Sequence, residues 1–387
     1  MTESVIIVGG GPVGATLALA LQHKGIAVTM LEARAKGAAY QDQRALALSY
    51  GSRAILEKLG VWAKLDAQAT AINTIHISQR GSFGRSLLKA QDHDLSALGY
   101  VLSYGALTQA LDEALAAFNG VEVIYEAEAT HIEPAVEAAT VTFNHASTSK
   151  RLSSSLLVLA DGGRSLGDIP GMQRETKMYG HDALVTKVKC ELPHDNIAYE
   201  RFTPMGPVAL LPNGEDFSLV WTGKQAEVAE VMALEDAAFL SQLHQHFGDR
   251  VGQFLCVGKR LTFPLKLSYL NPVTAPHLVV IGNAAQTMHP VAGQGFNVGL
   301  RDAYELAQQI AHTAPEAWGL DAMMRAYQQG RKTDTKRGLM FTDFLVNLFS
   351  NDIVGVSSLR GMSLGMLDLL KPVKSRLVRK MSFGSRG

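Results

Sequence analysis

Apolar positions along this chain fall into two rhythms. Val5, Ile6, Ile7 and Val8 form an unbroken run, as expected for a strand buried on both faces of a parallel sheet. From Pro12 the rhythm becomes helical: Val13, Leu17, Ala20 and Leu21 recur on one face, and Gly25 closes the helix. Residues 27–31 return as a second buried strand, with Glu32 at its carboxyl end. After a loop over 35–43 the apolar pattern resumes at 44–48, and 52–59 predicts a helix that Gly60 stops. Residues 72–96 read as short strands around a polar, Gly-containing excursion. Leu107, Leu111 and Leu115 share one face of a helix expected over 108–118. Short strands follow at 121–125, 129–133 and 140–143, the last two as a hairpin.

A further wholly apolar run, 156–160, ends abruptly in Asp161-Gly162-Gly163. Strand-like runs then dominate, at 183–188, 197–202, 208–211, 217–221 and 260–264, with one amphipathic helix expected over 235–247. This reads as an inserted antiparallel sheet, hence a second lobe. Residues 277–281 form another apolar strand, feeding a Gly-rich turn and a helix from about Asn297. Past Leu320 the chain is expected to be helical to its end. At 387 residues it exceeds the usual size of a single core, in keeping with two lobes.

Composition narrows the function classes. Formal net charge is zero, with 36 basic and 36 acidic side chains, so nothing draws the chain to nucleic acid. Cys190 and Cys256 are the only cysteines, too few for a disulfide framework, and a reducing, cytoplasmic setting is expected. Residues 4–22 and 278–300 lack charge, but the first is the strand–turn–helix unit. The second carries Asn283, Gln286, His289, Pro290, Gln294 and Asn297, which a lipid-facing helix would not tolerate, so no transmembrane segment or signal peptide is expected. His244 and His246 lie two apart and do not share a helix face, so no metal is expected. The tail after Leu370 carries Lys371, Lys374, Arg376, Arg379, Lys380 and Arg386 with no acid. It reads as a solvated basic face, or as a surface for anionic lipid or a partner protein at the inner membrane.

The chemistry concentrates at the first turn. Gly9, Gly11 and Gly14 give G-x-G-x-x-G between a strand and a helix. One glycine makes the tight turn, one admits a pyrophosphate to the backbone, and one lets helix and strand pack closely. The pyrophosphate then meets unpaired amides at a helix N-terminus. Glu32 follows at close to the ~20-residue interval expected of a carboxylate that binds an adenosine ribose. Strand, turn, helix, strand and acid in this order read as a dinucleotide site. The runs at 5–8, 156–160 and 277–281 all open into glycine, with polar Asp161 and Asn283 beside the glycines of the second and third. In an open parallel sheet, ligands gather at such carboxyl ends, so a long cofactor laid across them is expected.

GGGPVG with Glu32, ADGGRS at 160–165 and GNAAQTMHPVAGQGFNVGLRD at 282–302 together resemble the flavin-dependent aromatic hydroxylases of the para-hydroxybenzoate hydroxylase fold. AYERFTPMGPVALLP at 198–212 is similar to the substrate lobe of their ubiquinone-biosynthesis branch. The resemblance covers nearly the whole chain. It implies an α/β (α+β) fold: a discontinuous FAD-binding Rossmann-like domain, an inserted antiparallel-sheet substrate domain and C-terminal helices. The expected parts are 1–71, 99–178 and 267–318 for the FAD-binding domain, 72–98 and 179–266 for the substrate domain, and 319–387 for the helical region.

On the same resemblance, Gly9, Gly10, Gly11, Pro12, Val13 and Gly14 would hold the FAD pyrophosphate, and Glu32, Ala33 and Arg34 the adenosine ribose. Arg44 and Gln109 would touch the pyrophosphate or ribityl region, and Asp161 and Gly162 would serve FAD and the nicotinamide nucleotide. Gly282 and Asn283 would meet the ribityl or phosphate, while Pro290, Gly293, Gln294, Gly295, Phe296 and Asn297 would border the isoalloxazine. Pro290 and His289 are the candidate catalytic residues, and Leu210, Leu211 and Pro212 the candidate substrate pocket. Asn283 stands where most relatives carry Asp, and Leu166-Gly167-Asp168 follows ADGGRS where a basic residue is usual. The implied reaction is NAD(P)H-dependent monooxygenation through a flavin hydroperoxide, with a polyprenylated methoxyphenol as substrate. A sister hydroxylase acting at another ring position or on a soluble phenol, and a non-catalytic flavoprotein subunit among other quinone-biosynthesis proteins, stand as alternatives.

Overall fold

The computed structural model describes residues 4–80, 85–203, 206–287, 294–331 and 371–383. β1 (Val5–Val8), α1 (Pro12–Gln22) and β2 (Val28–Glu32) form the expected unit, with β1 and β2 parallel. β3 (Ala45–Ser49) runs into α2 (Tyr50–Lys58), followed by β4 (Thr70–Ile72), β5 (Thr74–Gln79) and β6 (Arg85–Lys89). β7 (Gly99–Ser103) runs into α3 (Tyr104–Leu115). Both helices begin earlier than their apolar patterns predict, at Tyr50 and Tyr104 instead of Ser52 and Thr108, and for one reason. The last residue of each preceding strand is a serine whose hydroxyl caps the helix, Ser49 accepting from the Ser52 amide and Ser103 from the Ala106 amide.

β8 (Val121–Tyr125), β9 (Glu128–Pro134), β10 (Ala139–His145) and β11 (Thr148–Ser154) lead to β12 (Leu156–Leu159). β9 and β10 make the expected hairpin, to which the polar β11 adds a strand that apolar periodicity does not mark. β13 (Gln173–Cys190), β14 (Ile197–Thr203), β15 (Gly206–Asn213) and β16 (Asp216–Lys224) precede two helices where one was expected, α4 (Gln225–Met232) and α5 (Asp236–Phe247). β17 (Phe254–Val257), β18 (Leu261–Asn271), β19 (Thr274–Ala275), β20 (Leu278–Val280) and β21 (Gln286–Thr287) follow. α6 (Gln294–Ala311) begins at Gln294 rather than Asn297, and α7 (321–331) and α8 (Lys371–Phe383) complete the described chain.

The first core is a six-stranded sheet in the order β19-β20-β12-β1-β2-β8, parallel from β20 to β8. Val5, Ile7, Leu156 and Val158 face Leu17 and Leu21 of α1 and Leu306 of α6, while Ile6, Val8, Leu157 and Leu159 face Val141 and Phe143 of β10. Cover on both faces is why these strands read as unbroken apolar runs.

The second sheet is nine-stranded, ordered β21-β18-β13-β16-β15-β14-β5-β6 with β17 beside β13. β5 enters it through a parallel pair with β14, so segments before and after the dinucleotide motif's other strands share one layer. β13 and β18 pair from Gln173↔Asn271 to Val185↔Leu261, and the expected boundaries at 178/179 and 266/267 fall inside this ladder, beside its bulge between Met178 and Asp182. One face of the sheet packs Val208, Leu210, Phe217, Leu219 and Trp221 beneath Phe239, Leu243 and Phe247 of α5. The other face turns to the small sheet β3-β7-β4, where Ala198 and Leu211 meet Ile72, Val101 and Ala45. Val378 of α8 packs beside it on Leu88, Ile75 and Ile77. No helix among the described residues is long and apolar enough to cross a membrane.

Candidate active site

The cradle starts at the carboxyl end of β1. Gly9, at φ +105°, donates its amide to the Leu31 carbonyl at 2.8 Å and lies so close to the end of β12 that a Cβ would sit 2.6 Å from the Asp161 nitrogen. A Cβ on Gly14 would lie 2.0 Å from the Gly9 carbonyl oxygen, so this glycine lets helix and turn touch. Gly11 differs: among the described residues a Cβ there would meet only the Tyr104 hydroxyl, at 3.5 Å. Gly11 is the N-cap of α1 without a side-chain cap, and Pro12 opens the helix. An uncapped helix N-terminus with open space before it suits a pyrophosphate.

Glu32 closes the cradle. It is buried, and one carboxylate oxygen accepts from the Gly10 amide at 2.7 Å. The other accepts from the Arg34 amide at 3.0 Å and from Arg34 Nε at 2.7 Å. Burial pushes this carboxyl upward, but the bonds from Arg34 and Gly10 outweigh it and hold the group below its usual range. Gly10, Met30, Glu32, Arg34, Tyr40 and Thr108 line a shallow cleft. Arg44 pairs with Asp42 at 2.5 Å and stacks over the Tyr104 ring at 5.0 Å. Tyr104 thereby joins Arg44 to the space before Gly11, a link that spacing along the chain does not signal. Gln109 sits on the exposed side of α3, its amide donating to Glu113 at 3.0 Å. The glycine turn, the buried acid and the neighbouring guanidinium groups fit the adenosine and pyrophosphate of a dinucleotide.

The ends of β12 and β20 adjoin this cradle. Asp161 folds its own loop: its two carboxylate oxygens accept from the Gly163 and Ser165 amides, each at 2.8 Å. Gly162 and Gly163 both adopt positive φ there. A Cβ on Gly163 would lie 3.5 Å from the Ala284 Cα, and one on Gly282 3.1 Å from Val13 Cγ1. Asn283 is exposed at this junction. Arg174 of β13 donates to the Ala284 carbonyl at 2.6 Å, tying the second sheet to the first.

Asn297 bridges α6 to the free edge of β3, its oxygen accepting from the Ser49 amide at 2.8 Å and its amide donating to the Ala47 carbonyl at 2.9 Å. Its side chain therefore serves the frame, and what it can offer a ring is its backbone. Phe296 packs against the first core. Asp302 is buried and pairs with buried Arg331 at 2.5 Å. His289, Pro290 and Gly293 lie outside the described residues.

The expected substrate pocket needs correction. Leu210, Leu211 and Pro212 are consecutive in β15, so they alternate across the sheet. Leu210 belongs to the core under α5, and the expected greasy runs at 208–211 and 217–221 send Val208, Phe217, Leu219 and Trp221 there with it. Pro212 shares that side by periodicity. Leu211 alone of the three faces the cofactor lobe. On Leu211's side the residues in register are Val185, Val220, Ala209, Glu200 and Ile77, all half-buried. Among the described residues no His, Cys, Asp and Glu cluster could hold a metal.

The sequence profile of the FAD binding domain family matches residues 2–342. The ubiquinone hydroxylase UbiL of Rhodospirillum rubrum is 35% identical over 384 residues, covering 97% of this chain and 88% of its own. The 3-demethoxyubiquinol 3-hydroxylase of Escherichia coli is 29% identical over 373 residues, covering 93% of each. Among solved structures, the p-nitrophenol 4-monooxygenase PnpA of Pseudomonas putida superposes with a TM-score of 0.81 at 16% identity over 99% of both chains, a likeness of fold.

Proposed function

The chain belongs to the FAD binding domain family of flavin-dependent monooxygenases, and from that premise we propose that it hydroxylates the ring of a polyprenylated methoxyphenol in ubiquinone biosynthesis, using NAD(P)H and O2. One observation carries the reading. The ends of β1, β12 and β20 meet at Gly9, Asp161, Gly163 and Ala284, and Arg174 fastens that meeting point to a sheet with a half-buried apolar face. A dinucleotide laid over the first would have its far end near the second.

FAD bound there supplies hydride acceptance and oxygen activation. This chain's residues do the rest. The amides opening α1 and the guanidinium of Arg44 hold the pyrophosphate, and Glu32 receives the ribose hydroxyls while keeping Gly10 and Arg34 in place. Asn297 fixes the start of α6 against β3, so the helix dipole is aimed by the frame and not by the ligand. Leu211, Ala209 and Val220 offer an apolar wall that excludes water from a ring. The sequence holds a single G-x-G-x-x-G, which favours a nicotinamide nucleotide that visits without a fold of its own. Arg376 and Arg379 are exposed on α8 while Val378 is buried, which would let the basic side meet anionic lipid at the membrane that holds a prenylated substrate.

Purified, FAD-loaded protein is expected to oxidise NAD(P)H faster in the presence of a prenylated methoxyphenol and to release the ring-hydroxylated product. A strain lacking the gene is expected to accumulate the unhydroxylated precursor, whose structure names the ring position. Normal quinone content in that strain, with no substrate-stimulated oxidation in vitro, would overturn the reading.

A further inference from the structure

Val185, Val220, Ala209, Glu200, Ile77 and Ser86 stand side by side across the second sheet, on strands β13, β16, β15, β14, β5 and β6. Glu200 is the one ionisable side chain in this row. Two of its neighbours on the same face are small, Ala209 across the strand and Ala198 two residues back. Ala198 and Phe202, two residues to either side on the same face, are buried, whereas Glu200 is half-buried, as are Val185, Val220, Ala209 and Ile77. Positions at the centre of so wide a sheet stay reachable only where the opposing layer leaves a gap.

No side chain among the described residues hydrogen-bonds or ion-pairs with the Glu200 carboxyl. Two other inward acids differ: Glu32 takes three bonds, and Asp302 pairs with Arg331. Burial alone pushes the Glu200 carboxyl up to about 7. A half-buried carboxyl of this kind, set among Ala209, Val220 and Ile77, suits a donor that arrives on an otherwise apolar body. A phenol has that form.

We propose that Glu200 receives the phenolic hydroxyl of the substrate, accepting its hydrogen bond while the ring lies over Ala209 and Val220. The inference rests on the hydroxylase reading above. The proton stays shared between phenol oxygen and carboxylate. Negative charge beside that oxygen enriches the ring carbons ortho and para to it, which attack by an electrophilic oxygen requires, and fixes which carbon is presented.

Glu200→Gln keeps the shape and removes the charge. Expected are unchanged flavin content and folding, a KM and a calorimetric Kd for the phenol raised roughly tenfold or more, as for loss of one charge-assisted hydrogen bond, and more NAD(P)H consumed per product. Glu200→Asp should restore part of both. The methyl ether of the same phenol should bind wild type as weakly as the phenol binds the Gln variant. If wild type hydroxylates the phenol and Glu200→Gln does so with the same Kd, KM and coupling, the assignment fails while the hydroxylase reading stands. If wild type turns over no phenol, both fall.

Discussion

Glu32 and Glu200 are the same side chain set into two sheets in opposite ways. Glu32 ends β2 with both oxygens engaged, by Gly10 on one and Arg34 on the other, and its carboxyl is held low in spite of burial. Glu200 stands in mid-sheet with no such donors among the described residues, and burial carries it up to about 7. The cofactor lobe thus completes its own acid from within, so the acid shapes the turn in its own right. The substrate sheet leaves its acid incomplete, which is a cost in the empty protein and an opening for an outside donor.

The sharpest way to separate frame from ligand site lies in the cofactor lobe. Gly11→Val should cut FAD affinity by about 100-fold or more, since the side chain fills the path by which a pyrophosphate reaches several amides. The apoprotein should melt almost as wild type, because among the described residues only the Tyr104 hydroxyl stands near that Cβ. Retained visible flavin absorbance after gel filtration would show that Gly11 does not border the cofactor. Glu32→Ala comes next, with roughly tenfold weaker FAD for the loss of about 1–2 kcal/mol of hydrogen bonding. It should also lower the melting temperature of the empty protein, by freeing the Gly10 amide and Arg34; an unchanged melting temperature would mean that Glu32 is no part of the frame.

The smallest effect is a pH signature. Glu200 has a folded value above the unfolded carboxyl value near 4.5, so its contribution is fully present below that pH and is lost as pH rises through about 7. Glu32, held low, contributes above its unfolded value and loses that contribution as acid takes the pH down through its folded value. Glu200→Gln should therefore stabilise the empty protein at pH 8 relative to pH 5 by on the order of 1–2 kcal/mol, compared with wild type. Parallel melting curves across that range would contradict the raised carboxyl of Glu200.

The βαβ unit, the three apolar strand ends and the change to strand-rich sequence near residue 180 were legible because each is a local pattern with a local cause. Residues that depend on pairing were not. Ser49 and Ser103 look like strand residues until the chain turns on their hydroxyls. Leu210 and Leu211 are equally apolar, and only the register of β15 sends one to α5 and the other to β4 and β7. Ala198, Glu200 and Phe202 alternate with Tyr199 and Arg201, a signal that a carboxylate shares a face with apolar residues. Nothing along the chain tells which face that is, because β5 joins β14 from far upstream.

The order of the six-stranded sheet also governs how the protein comes into being. β12 pairs with β1 on one side, but its other edge is covered only by β20, which starts at Leu278. On the ribosome, the Leu-Leu-Val-Leu edge of β12 therefore waits unpaired while β13 to β18 of the second sheet are synthesised, and that sheet in turn must recruit β5 from the stretch already made. An open apolar edge is a template for the wrong strand, and late, long-range pairings lengthen the exposure. A chain stopped before residue 278 is expected to aggregate instead of folding as a smaller flavoprotein, and yield in the cell to depend on what shields that edge in the interval.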